Sequence, residues 1–97
     1  MTVTRVQNGT SVTLKPQGRI DTTTSPLFEA EIKQLAGVTE LILDFEKVEY
    51  ISSAGLRVIV AAARIMDRQG TMKLVKVSSE VMEILDITGF TDIFTIE

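Results

Sequence analysis

The residues able to do chemistry are few, and the densest group is the run Ser52-Ser53-Ala54-Gly55. The 97 residues include no Cys and no His. That removes disulfides, thiolate metal sites, thiol nucleophiles and any triad needing an imidazole base. Hydroxyls, carboxylates and amines remain. No two carboxylates are placed as an acid/base pair by spacing, and no Gly-rich loop leads into Lys-Ser or Lys-Thr as a nucleotide site would. Two hydroxyls at a helix start have a plain use, since either can cap the free amides of the first turn. Gly55 asks for more. Glycine costs ~1 kcal/mol against alanine within a helix, so its place in the first turn implies close approach by a neighbouring loop or a partner. Asp21 precedes Thr22-Thr23-Thr24 and can pin that turn with its carboxylate or face a partner. Asp44, at the end of an apolar run, suits a structural role on backbone amides.

These residues need elements to hold them. Thr2 to Val6 and Ser11 to Gln17 alternate and meet across Asn8-Gly9, predicting an opening β-hairpin. Pro16 lacks a donor and implies an edge or a bulge. Ser25 is expected to cap a helix with Pro26 in its first position. Phe28, Ile32 and Leu35, widened by Leu27 and Ala36, supply its buried stripe, Glu29 and Lys33 a favourable pair, and Gly37 its stop. Leu41-Ile42-Leu43 is a continuous apolar run that suits a central strand covered on both faces, or one with a parallel neighbour.

The longest helix is predicted over Ser52 to Gln69, ending at Gly70. Leu56, Ile59, Val60, Ala63 and Met66 form one face. Val58, Ala62 and Ile65 form a second row, either buried under a neighbouring helix or in part exposed beside Ser53 as a docking patch. Arg57, Arg64 and Arg68 mark the wet strip. Met72 to Val77 reads as a strand, Ser79 as the cap of a short helix closed by Gly89, and Ile93 to Ile96 as a last strand. The expectation is one domain over 1–97 with an α/β fold. It has a small mixed sheet of four or five strands, three main helices packed mainly on one face, and the order ββαβαβαβ.

Two separated segments carry a resemblance. The first runs from Asp44, ending a strand, through Tyr50-Ile51 to Ser53 and Gly55-Leu56; the second is Gly18-Arg19-Ile20-Asp21 followed by threonines and a helix. Together, in this order and across essentially the whole chain, they resemble the STAS anti-sigma-factor antagonists. The resemblance implies that Ser53, two residues before the Gly, is the phosphoacceptor and that Asp21 lies near it. The partner-facing surface it implies comprises Asp21, Thr22, Ser52, Ser53, Ala54, Gly55, Leu56 and Arg57. The implied partners are an anti-sigma factor with serine kinase activity, bound by the unphosphorylated chain so that a sigma factor is released, and a serine phosphatase that resets the switch. Ser52 stands where the family often has Asp, and Ala54 where it often has Ser or Thr. These departures leave open a second reading, a STAS docking or scaffold subunit, for example of a transporter complex, that is not phosphorylated.

A phosphate adds roughly −1.5 to −2 charge and three acceptor oxygens. At a helix start it meets free amides and the positive end of the dipole, so its effect is expected on the partner surface and not on the fold. The bulk numbers fit a binding module. The 44% hydrophobic and 24% charged residues are those of an ordinary globular domain. A net charge of −3 with scattered Lys and Arg argues against nucleic acid. The apolar stretch Leu56 to Met66 is cut by Arg57 and Arg64 and is too short for membrane insertion. With no signal peptide visible, the cytoplasm is the expected compartment. No cofactor, metal or enzymatic activity is expected.

Overall fold

The computed structural model describes residues 1–97. Seven residues, Thr2–Asn8, form β1, which pairs antiparallel with β2, Ser11–Ile20. Asn8 remains paired to Ser11, so the two-residue loop is Gly9-Thr10, with Gly9 at φ 64° supplying the left-handed residue. Helix α1 covers Ser25–Ile32, followed by β3 (Glu40–Asp44), β4 (Val48–Ile51), α2 (Ser53–Asp67), β5 (Thr71–Val75) and α3 (Ser79–Ile87). A single 3-10 turn, Phe90–Asp92, closes the chain. Strands β1-β2-β3-β5 run in that order, with β2–β3 and β3–β5 parallel.

The long strand β2 organises the sheet by using its second side twice. Ser11 to Leu14 pair with β3, and Gly18 to Ile20 pair with β4, with a register shift between Gly18 and Arg19. Pro16 sits in the gap between those two ladders, where β2 has no partner on that side. It therefore lies in a central strand and not at an edge, beside rather than at the irregularity. Along β2 the inward residues Val12, Leu14 and Ile20 are fully buried, whereas Lys15 and Gln17 on the other face are exposed. The helices close over the first face, and 21 buried apolar residues form one core there.

Several expectations are corrected. The segment Val48–Ile51 is a strand, not part of a connection, and Ile93 to Ile96 is not one. It makes only a single parallel bridge, Leu74 to Ile96, and Ile93 is 67% exposed. The observed order is ββαββαβα, with five strands and three helices as expected. Ile42 is only partly buried, so β3 is apolar throughout because it has parallel neighbours on both sides, not because both its faces are covered. In α1 the N-cap is Thr24, which makes no side-chain cap bond, and Ser25 lies inside the helix. The helix ends near Lys33, a turn before Gly37, so Ala36 falls outside it and is exposed, and Leu27, within the helix, lies on its exposed side. In α3 the cap is Ser78, whose hydroxyl accepts the Val81 amide at 3.2 Å, and not Ser79.

Candidate functional site

The start of α2 is fixed by three local facts. Ser52 is extended at φ −92°, ψ 175°, and its hydroxyl accepts the Gly55 amide at 3.4 Å. Its own N–H donates to the Ile20 carbonyl at 2.8 Å, and its carbonyl accepts from Leu56 at 2.9 Å. Ser52 is thus committed at every polar atom to joining β2, β4 and α2. Ser53 is the first helical residue and exposed, and its hydroxyl takes no part in that network.

Gly55 is buried, and a Cβ there would sit 2.7 Å from Ile20 Cγ2, 2.7 Å from Ile51 Cγ1 and 3.2 Å from the Ile20 carbonyl oxygen. The close approach expected at this glycine is therefore to the paired strand ends of its own fold. Gly55 lets the helix settle on Ile20 and Ile51, and it offers a partner no surface. Ala54 is half-buried beside it, and Leu56 is buried with one side on a groove.

The same strand ends bring in Asp21. Ile20 pairs with Ile51 in parallel register, so the chains leaving them, Asp21-Thr22 and Ser52-Ser53, emerge side by side at the carboxyl edge of the sheet. This is the edge at which parallel α/β sheets place their sites. The Asp21 carboxylate accepts the Thr23 amide at 3.0 Å, the Thr24 amide at 3.1 Å and the Thr24 hydroxyl at 3.2 Å. The Thr24 hydroxyl accepts in turn from the Asp21 amide at 2.9 Å and is positioned on the Arg19 carbonyl at 2.6 Å. The Thr24 amide lowers the Asp21 pKa and outweighs the opposing effect of desolvation, helped by the Thr24 hydroxyl, the Thr23 amide and the Arg19 charge. Asp21 is a fixed negative charge on a rigid turn. Thr22 stands exposed at its tip. Arg19 lies 4.3 Å above the Tyr50 ring, a cation–π pair tying the two strand ends together.

A groove of about 510 Å³ opens beside Ser53. Leu56, Val60 and Ala61 of α2 form one wall with Arg57 and Arg64, and Thr88 and Phe90 after α3 form the other. Sequence reasoning placed the second apolar row here as one of two possibilities. The structure buries Val58 at 5% and Ala62 at 0% exposure beneath α1, and leaves Ile65 partly buried and outside the groove. Val60 and Ala61 face the groove in their place. Phe90 and Thr88 were not anticipated, because they reach the site only through the packing of the C-terminal turn, where Phe90 stacks on Phe94 at 5.1 Å. The i, i+4, i+7 spacing of Arg57, Ala61 and Arg64 was the available signal that both arginines share a face.

Neither Arg57 nor Arg64 is in an ion pair; the four in the fold use Arg5, Lys33, Lys73 and Lys76. The groove carries two cations and no carboxylate. No three acidic side chains converge as metal ligands, and no helix is long and apolar enough to cross a membrane. What the arrangement offers is an exposed hydroxyl on a capped helix, a fixed carboxylate beside it and an apolar groove with a cationic rim.

The sequence profile described as STAS domain matches residues 2–97. BtrV of Bordetella bronchiseptica is 34% identical over 83 residues, 82% of this chain and 72% of its own length. The anti-sigma-B factor antagonist of Bacillus subtilis is 30% identical over 92 residues, covering 93% of this chain and 84% of that protein. Among solved structures, the anti-sigma factor antagonist SpoIIAA in its unphosphorylated form superposes with TM-score 0.84 at 18% identity, covering 99% of this chain and 88% of that one. The phosphorylated form of SpoIIAA, from Bacillus, superposes with TM-score 0.76 at 17% identity, over 99% and 91%.

Proposed function

From the premise that this chain belongs to the STAS domain family, we propose that it is an anti-sigma factor antagonist switched by phosphorylation at Ser53. Unmodified, it binds an anti-sigma factor with serine kinase activity through the carboxyl edge of the sheet, and a sigma factor is released. The surface comprises Asp21, Thr22, Ser53, the exposed side of Leu56, and Arg57, while Ser52, Ala54 and Gly55 hold it in shape. The observation that carries this reading is the division between adjacent serines. The Ser52 hydroxyl is consumed by the cap, and the Ser53 hydroxyl stands free at the rim of a groove.

In the kinase step a bond forms between Ser53 Oγ and the γ-phosphorus of ATP. The bridging P–O bond breaks, ADP leaves, and the hydroxyl proton passes to a base of the kinase. The phosphatase returns the hydroxyl by transferring the phosphoryl group to water. Phosphorylation leaves α2 intact, because the cap bond belongs to the neighbouring residue, and it acts by placing a dianion on the partner-facing edge.

Mass analysis of Ser53-containing peptides from the native cells under several growth conditions tests the switch. A phosphate on Ser53 whose occupancy changes with condition is expected. Unmodified Ser53 throughout overturns the switch and favours the constitutive docking subunit, the reading that Ser52 and Ala54 suit.

A further inference from the structure

We propose that Arg57 is an intramolecular clamp for phosphorylated Ser53, so that the modification both adds an anion to the docking edge and withdraws a cation from it. The inference rests on Ser53 as the phosphoacceptor and specifies how that site is regulated. Ser53 and Arg57 are four residues apart on α2 and both line the same groove wall. Side chains at that spacing are neighbours, ~5–6 Å between Cβ atoms, and an anion N-terminal to the cation is the better order. Helical side chains lean toward the start of their helix, which puts the Ser53 turn within reach of the arginine.

The charges around the pair make Arg57 the phosphate's natural partner. Arg57 has no carboxylate to give up. On the neighbouring loop, Asp21 is a fixed anion that repels a phosphate, and Arg19 is held over Tyr50. Across the groove, Thr88 and Phe90 carry no charge, and the acids two residues to either side, Asp86, which accepts from the Thr91 hydroxyl, and Asp92, do not line it. Arg64 shares the groove but lies eleven residues beyond Ser53, a rise of ~16 Å along the helix, outside the reach of a phosphate there. A guanidinium with its planar fork matches phosphate oxygens in a bidentate way that a more distant charge cannot. In the unmodified chain Arg57 and Arg64 together give the groove a cationic rim. In the modified chain Arg57 is occupied, and only Arg64 remains for an acidic group of the partner.

The test uses the full chain with phosphoserine installed at position 53 by genetic encoding, so it requires no cellular kinase. The second ionisation of the phosphate is followed by phosphorus NMR in the parent chain, Arg57→Gln and Arg64→Gln. The clamp holds the dianion, so Arg57→Gln is expected to raise that pKa by about half a unit or more. Arg64→Gln, with the same change in net charge, is expected to move it by less than a third as much. Equal shifts in the two variants, or none in either, overturn the clamp. Absence of Ser53 phosphate in native cells would instead defeat the switch proposed above and leave this titration unchanged. Both arginines are exposed, and matching urea midpoints of the three proteins establish that the fold is common to them.

Discussion

The two ends of the parallel sheet are built from similar parts and used differently. At the amino edge, Thr39 donates its amide to the Thr10 carbonyl at 2.8 Å and its hydroxyl to the Thr10 hydroxyl at 2.8 Å. Its carbonyl accepts the Thr71 amide at 3.0 Å. The Gln69 side-chain amide donates to the Leu35 and Val38 carbonyls, both at 2.6 Å. Gly70 lies so tightly on Thr39 that a Cβ would overlap the carbonyl itself. At the carboxyl edge there is again a closely packed glycine, Gly55, here pressed chiefly on the Ile20 and Ile51 side chains, and again a set of hydroxyls and amides satisfied locally around Asp21 and Ser52. The difference is in what is left over. The amino edge spends its polar groups on one another, whereas the carboxyl edge leaves the Ser53 hydroxyl and Arg57 unengaged at the mouth of an open groove. A glycine and a cluster of hydroxyls mark a tight junction in both places; uncommitted groups distinguish the site.

The two glycines give the largest effects with which to break this comparison. In Gly70→Ala the new methyl meets backbone, which cannot rotate away, so strands β3 and β5 must shift relative to α2. A loss of about 3 kcal/mol or more is expected in urea unfolding. In Gly55→Ala the methyl meets Ile20 and Ile51 side chains at 2.7 Å and the Ile20 carbonyl at 3.2 Å. With two contacts this short, overpacking of ~2–3 kcal/mol is partly offset by ~1 kcal/mol of better helix propensity, for a net loss of about 1–2 kcal/mol. A Gly55→Ala protein as stable as the parent would mean that the helix start is not seated on the strand ends. Gly70→Ala retaining the parent's midpoint would remove the amino-edge junction from the comparison.

Much of this was legible before any coordinates, and the exceptions have physical causes. The hairpin, β3 and α2 follow from alternation, a continuous apolar run and the 3.6-residue period, which are properties of the chain itself. Strand β4 was hidden because four residues, Val-Glu-Tyr-Ile, are too short for a period and exist as a strand only because the far end of β2 is there to pair with them. The tail misled in the opposite sense. Ile93, Phe94 and Ile96 look like a strand, yet the segment turns at Phe90–Asp92, buries only Phe94 among them, and meets β5 at one bridge. Of the site, the hydroxyl pair and Asp21 could be found from spacing and resemblance. Which serine caps could not, since both types serve equally and the choice rests on the turn that β4 makes into α2. The groove was least legible, because Phe90 and Thr88 reach it through tertiary packing.

The adjacent serines sharpen the distinction at smaller magnitude. Ser52→Ala removes the cap acceptor for Gly55. Because that bond is long at 3.4 Å, the loss is expected at the lower end of capping effects, about 0.5–1 kcal/mol. Ser53→Ala removes an exposed hydroxyl and is expected to leave stability within ~0.5 kcal/mol. Its consequence should be seen in phosphorylation and partner binding. Paired urea curves and a phosphorylation assay with the native kinase separate the two, with stability belonging to Ser52 and modification to Ser53. The reverse assignment would show that the cap and the acceptor have been exchanged.

The smallest effect tests whether the Asp21 turn is a rigid fixture or an accessory. Its folded pKa lies below the ordinary value of 3.8, chiefly through the Thr24 amide. A carboxylate stabilised in this sense contributes to stability while ionised. The contribution is fully present above the unfolded pKa, declines as pH falls below about 3.8, and is gone below the folded value. Asp21→Asn keeps an acceptor for the Thr23 and Thr24 amides but cannot ionise. The gap in urea midpoint between the parent and Asp21→Asn is therefore expected to be constant from neutral pH to about pH 5 and to narrow on further acidification. The exposed position of the carboxylate keeps that gap modest. A gap that stays constant to pH 2 would mean that the charge does nothing for the turn. Asp21 would then be free to act on a partner alone, and the carboxyl edge would hold one more uncommitted group than its hydrogen bonds indicate.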